Sequence, residues 1–215
     1  MIRIVAVSGS KDSGKTTLCR KLIKELSEMG IMTGYIKRTA EDVLSEKNTD
    51  TGSVSDMGIG SVLWGRDGLR YELMASEDTT PYYIASRYFP EAEIIILEGG
   101  KNLHLPKIWV RSEGEVRPEY PGILMIYDRG GNKDSSLVYC GGEEKEMALS
   151  LASMVRGKAY RSSKVYFGDS PLPMKDFIAD FIRGSILGML ASLKGGKDPE
   201  KTIRIYIDGS TEGKK

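Results

Sequence analysis

The chain has 215 residues, 40% hydrophobic and 28% charged, enough for one packed domain or one domain with a small appendage, and this composition excludes wholesale disorder. Its 31 basic and 30 acidic residues nearly cancel, so charge gives no case for nucleic acid or an anionic membrane. No apolar run approaches the ~20 residues that span a bilayer, and two distant cysteines with one histidine argue against a disulfide framework or a metal knuckle.

The first stretch, Ile2 to Ser8, is apolar and β-branched and predicts a buried strand. No charged-then-apolar leader precedes it, so a cytoplasmic location is expected. Gly9-Ser10-Lys11-Asp12-Ser13-Gly14-Lys15-Thr16 follows and fits G-x-x-x-x-G-K-[ST]. Leu18, Leu22, Ile23 and Leu26 then recur at helical spacing. A strand, a glycine-rich turn and a helix N-terminus gather backbone N–H groups around one point, which suits an anion. The pattern predicts a nucleoside triphosphate site in which Lys15 reaches the β- and γ-phosphates and the Thr16 hydroxyl holds Mg²⁺. Cys19, in the first turns of that helix, is expected to be a small buried thiol.

Gly30 is a plausible helix stop, and Ile31 to Lys37 predicts a second strand. Residues 39–53 are polar and aperiodic and predict a long surface loop suited to order–disorder switching. Ser61 to Trp64 and Leu69 to Met74, on either side of Asp67-Gly68, predict a hairpin. A short helix is expected over 80–89, before Pro90. Ile94 to Leu97 is the most apolar run and predicts a central parallel strand. Further strands are expected over Pro106–Val110, Ile123–Tyr127 and Leu137–Cys140, then a helix over Glu143–Val155.

This alternation predicts an α/β fold, a three-layer P-loop NTPase domain over residues 1–157 with a mostly parallel sheet. Residues 158–163 form a polar connector, and a small C-terminal β-α-β unit is expected over 158–215. It would comprise a strand at Val165–Phe167, a long helix over Met174–Leu193 and a closing strand at Thr202–Ile207.

Glu98 ends the central strand and is expected to emerge at the C-terminal sheet edge, where ligands bind in open α/β folds. It is the first candidate to support Mg²⁺, with Asp50 in the polar loop the second. Glu93 and Asp128 are weaker candidates that can equally terminate or cap an element. Lys37 and Arg38 stand at the same edge and could meet phosphates, while Lys101 and Lys107, flanking His104, could add a basic rim. Asn132-Lys133-Asp134 has the wrong spacing for a guanine-reading N-K-x-D motif and reads as a turn.

Together, the P-loop helix, Gly34-Tyr35-Ile36-Lys37, Asp50-Thr51, Glu98-Gly99-Gly100-Lys101 and Leu105-Pro106-Lys107-Ile108 resemble the molybdopterin-guanine dinucleotide biosynthesis protein B family. The resemblance covers residues 1–157, and its most specific piece is E-G-x-K followed by P-K-I. It implies a homodimeric GTP-binding accessory protein with at most slow GTP hydrolysis. Such a protein works beside the nucleotidyltransferase that joins GMP to molybdopterin. On this reading Gly9, Ser10, Asp12, Ser13, Gly14, Lys15, Thr16 and Thr17 hold the nucleotide, and Thr16, Glu98 and Asp50 serve Mg²⁺. The family usually has Lys-His after the second strand and histidines in the next loop; here Lys37-Arg38 stands there, and residues 39–49 hold no histidine. Two alternatives remain: a paralogous NTPase for another cofactor, or a small-molecule kinase using Arg66, Arg70 and Arg87.

Overall fold

The computed structural model describes residues 3–77, 79–112, 115, 120–156, 163–168, 170–193 and 203–207. By internal packing the chain divides into two units, Met1–Ala159 with Val165–Leu172, and Tyr160–Lys164 with Pro173–Lys215.

The first unit is built on six strands: β1 (Arg3–Gly9), β2 (Thr33–Lys37), β5 (Ile94–Glu98), β6 (Lys107–Arg111), β7 (Ile123–Asp128) and β8 (Val138–Cys140). They lie in the order β2-β5-β1-β6-β7-β8, and every pairing is parallel. Parallel strands must be covered on both faces, which is why β5 is apolar without alternation and wholly buried. The α/β architecture with a mostly parallel sheet is therefore present as expected.

Helices α1 (Lys15–Glu28) and α4 (Glu144–Arg156) cover one face of the sheet. Leu18, Leu22 and Leu26, one turn apart on α1, pack there with Val5, Ile96 and Leu151. On the other face Ile4, Ala6, Ile95 and Leu97 meet Ala85 of α3 (Pro81–Tyr88). That helix starts at Thr80, whose hydroxyl accepts from Tyr83 N at 3.1 Å.

The hairpin forms as expected from β3 (Ser61–Trp64) and β4 (Leu69–Glu72), paired antiparallel from Ser61↔Glu72 to Trp64↔Leu69. The polar loop is shorter than expected, because α2 (Asp50–Asp56) begins inside it. Thr49 caps this helix, its hydroxyl accepting from Gly52 N at 3.2 Å, and Asp50 sits in the first turn, where a carboxylate complements the helix dipole.

The C-terminal region also departs from expectation. Strand β9 (Tyr166–Phe167) pairs antiparallel with β10 (Ser170–Pro171), and both belong to the first unit. The second unit contains α5 (Asp176–Ala191), whose neighbouring rings Phe177 and Phe181 stack with centroids 6.5 Å apart. Residues 203–207 form no strand, so the described part of the closing strand is absent. Residues 158–162 of the connector, and Thr202, lie outside the described residues.

Candidate functional site

The glycine-rich octapeptide runs from the end of β1 into the first turn of α1. Gly9 lies so close to the neighbouring strand that a Cβ there would stand 2.4 Å from the Val110 carbonyl oxygen, which excludes any larger residue. Gly14 caps the helix in a left-handed conformation with φ 95° and offers no side-chain cap, and the first turn holds no acid. The leading N–H groups and the positive end of α1 are thus left for an external anion. Lys15 Nζ folds back onto the Ser10 carbonyl of the same loop.

The loop contains a buried hydroxyl without a partner. Ser13 is only 8% exposed, yet its Oγ makes no hydrogen bond among the described residues. Leaving such a group unmet costs about 1–3 kcal/mol, so it fits a loop built to receive a ligand oxygen.

Glu98 stands where the register of the sheet puts it, opposite Val7 of β1 and Lys37 of β2. Thr16 Oγ1 donates to its Oε1 at 2.7 Å, and Tyr35 OH donates to its Oε2 at 2.6 Å. Lys37 Nζ lies 3.8 Å from Oε1. The carboxylate is 5% exposed and meets the P-loop threonine directly, so the first acid expected from the sequence joins the site. Burial, and then the hydrogen bond to Glu98, raise the Tyr35 phenol, which keeps it a neutral donor. Beneath them Cys19 is 1% exposed; burial and then the Glu98 charge push its thiol up to about 12.

Other candidates are placed differently. Asp50 is exposed on α2, and no hydrogen bond or ion pair joins its carboxylate to Lys15, Thr16 or Glu98. Lys107 is no part of a basic rim. It is completely buried, and its Nζ donates to the carbonyls of Leu103, Leu105 and Pro121 at 2.7, 3.2 and 3.0 Å. Desolvation lowers its pKa. The lysine pins the turn after β5 to the segment entering β7 while His104 remains exposed.

Glu93 accepts from Met32 N at 3.1 Å, and Asp128 accepts from Gly130 N at 2.7 Å and from Arg111 at 3.2 Å. Both therefore terminate elements. Within Asn132-Lys133-Asp134, Asp134 pairs with Arg111 at 3.1 Å and Lys133 with Glu143 at 2.6 Å, so this stretch ties turns together. Among the arginines weighed for a kinase, Arg70 is paired to Glu72 at 2.8 Å and Arg87 lies over the Tyr83 ring at 5.9 Å.

No group of three or more His, Cys, Asp or Glu side chains among the described residues could hold a metal alone. That suits Mg²⁺ in a P-loop site, which takes most of its ligands from phosphate and water. Thr16 and Glu98 provide two protein oxygens of the right kind at one point.

The residues missed by sequence reading are Tyr35 and Arg111. Tyr35 alternates with buried Gly34 and Ile36 on β2, and the sequence assigned its side chain no role. Arg111 extends β6 one residue beyond its apolar run.

A family model described as molybdopterin guanine dinucleotide synthesis protein B matches residues 4–123, more than half of the chain. The chain belongs to this family. A Methanocaldococcus jannaschii protein named "Putative molybdopterin-guanine dinucleotide biosynthesis adapter protein" is 27% identical, over 97% of this chain and 99% of that protein. The match therefore runs well past residue 157, into the C-terminal region. The Escherichia coli molybdopterin-guanine dinucleotide biosynthesis adapter protein is 31% identical, over 55% of this chain and 71% of that one. A crystal structure of Bacillus subtilis MobB shares the fold, with a TM-score of 0.55 and 21% identity over 73% of this chain and 100% of that one.

Proposed function

We propose that this member of the protein B family binds Mg-GTP and acts as an adapter in forming molybdopterin guanine dinucleotide. In this reading it serves the nucleotidyltransferase that joins GMP to molybdopterin. The observation that carries the proposal is the hydrogen bond from Thr16 to Glu98, at the mouth of a helix that begins without a side-chain cap. The family membership and the adapter names of its relatives support the pathway.

Gly9, Ser10, Asp12, Ser13, Gly14, Lys15, Thr16 and Thr17 make up the phosphate grip, with Lys15 as its cation. Thr16 and Glu98 would hold Mg²⁺ directly or through water, and the metal would neutralise phosphate charge there. Asp50 is proposed as a second acid acting through water. Both Glu98 oxygens already accept hydrogen bonds, so Glu98 is poorly suited to be a general base. This supports at most slow hydrolysis.

The reading includes a homodimer, action in the cytoplasm, and a nucleotide-binding domain over 1–157 followed by an extension over 158–215. No described helix is long and apolar enough to cross a membrane.

The test combines calorimetry with reconstitution. Mg-GTP should bind the wild type, Lys15→Ala should abolish that binding, and Asp50→Asn should raise the Mg²⁺ requirement. The wild type should accelerate dinucleotide formation by the purified nucleotidyltransferase supplied with molybdopterin. Unchanged Mg-GTP affinity in Lys15→Ala would overturn the site. Rapid nucleotide turnover that depends on a small-molecule phosphoryl acceptor would overturn the adapter reading.

A further inference from the structure

A cation from the end of β7 reaches the start of α1. Strand β7 ends at Asp128, whose carboxylate is engaged by Gly130 N at 2.7 Å and by Arg111 Nη1 at 3.2 Å. These two bonds fix the turn that carries Arg129. The side chain of Arg129 then lies across Gly14: a Cβ on that glycine would stand 3.2 Å from both Arg129 Cδ and Nη1, and 3.7 Å from Cζ.

This placement is electrostatically unfavourable as it stands. A guanidinium rests on the positive end of a helix whose first turn contains no acid and whose cap residue has no side chain. Arg129 is exposed, and among the described residues its guanidinium has no carboxylate partner and no hydrogen bond. The buried, unpartnered Ser13 hydroxyl belongs to the same loop. Two groups that want an anion thus share the octapeptide with Lys15.

The strand order says from which side the arginine comes. Glu98 and its threonine stand on the β5 side of β1, whereas Arg129 arrives from β7, beyond β6 on the other side. The expected Mg²⁺ corner and the arginine therefore flank the P-loop from opposite directions.

We infer that Arg129 is a phosphate-binding residue of the nucleotide site, closing on the polyphosphate opposite Thr16 and Glu98. This rests on the nucleotide-binding reading above and adds to it a residue from the end of β7. The contact is with phosphate oxygens, so it is blind to the base.

The test uses the full chain with Arg129→Ala and Arg129→Lys. Affinities are measured for Mg-GTP and GDP, and for inorganic tripolyphosphate as a competitor of a fluorescent GTP analogue. Arg129→Ala should weaken all three by a common factor, roughly 10- to 100-fold, the range for a hydrogen bond to a charged group. It should also lessen the salt dependence of binding, and Arg129→Lys should recover part of the loss. Affinities within twofold of the wild type would overturn the inference. So would a loss for GTP and GDP with tripolyphosphate unaffected, because the contact would then be to the nucleoside. If the wild type bound none of the three, the nucleotide-binding proposal itself would fall; binding by the wild type with no effect of the substitution would sink this inference alone.

Discussion

Tyr35 on β2 and Glu98 on the adjacent strand β5 are joined by a 2.6 Å hydrogen bond, while Thr16 holds the other carboxylate oxygen at 2.7 Å. The acid is thereby oriented from two sides before any ligand arrives, and such pre-orientation saves the cost of ordering it on binding. Tyr35→Phe leaves one buried oxygen without its donor. It should cost about 1–2 kcal/mol of folding stability and shift the Mg²⁺ dependence of GTP binding to higher concentration. Metal-free nucleotide binding should stay the same. Superimposable Mg²⁺ titrations for variant and wild type would remove Tyr35 from the site.

Ser13→Ala separates a ligand-seeking hydroxyl from a structural one. Its Oγ has no partner among the described residues, so its removal should leave the nucleotide-free protein equally stable or raise its stability by up to about 1 kcal/mol. Nucleotide affinity should fall at the same time. Thermal melts with and without Mg-GTP read both effects, and a variant destabilised without nucleotide would show that the hydroxyl had a structural partner after all.

Lys107 gives a strong stability prediction. Lys107→Met keeps the length of the side chain but takes the Nζ donor from the Leu105 and Pro121 carbonyls and leaves the Leu103 carbonyl only its bond from Leu105 N, at a cost of about 3 kcal/mol. The urea midpoint should drop with little change in slope. Hydrogen exchange should quicken in the turn after β5 and before β7, the two segments that the lysine connects. A variant as stable as the wild type would mean that those carbonyls are satisfied without it.

Glu144 sets an acid limit on stability. Burial acts to raise its carboxyl, but hydrogen bonds from Lys21 at 2.7 Å and Tyr127 at 2.6 Å outweigh that and bring it from 4.5 down to about 2. A carboxylate depressed by folding stabilises above its unfolded pKa, so the contribution is complete above pH 4.5 and drains away as the pH falls towards 2. Up to about 3 kcal/mol is at stake. Denaturation curves should show the loss between those limits, and Glu144→Gln should flatten it; an equally steep fall in the variant would assign it to other carboxylates.

What could be read from the residues followed from how locally each feature is encoded. β1, α1 and β5 carry their burial in consecutive or one-turn spacing, so they and the Glu98 edge were legible. α2 was not, because seven residues with Asp50, Ser53 and Ser55 among them show no apolar period. Lys107 misled because a charged residue reads as surface, and its three carbonyl partners come from two separate turns. Arg129 was illegible for a related reason: it lies more than a hundred residues from Gly14 and meets it only once β7 is placed in the sheet. The closing strand expected over 202–207 did not form: its described residues, 203–207, take no strand conformation.

Cys19 turns the burial under Glu98 into a clock. Its thiol is 1% exposed and pushed up to about 12, so alkylating reagents and oxidants find almost no thiolate while α1 stays docked. Labelling must wait for the helix to lift from the sheet, which makes the rate of modification a count of those openings. A ligand that holds the first turn of α1 would slow that count in the unmodified wild-type protein, so a single native sulfur can report occupancy of the loop a few residues before it.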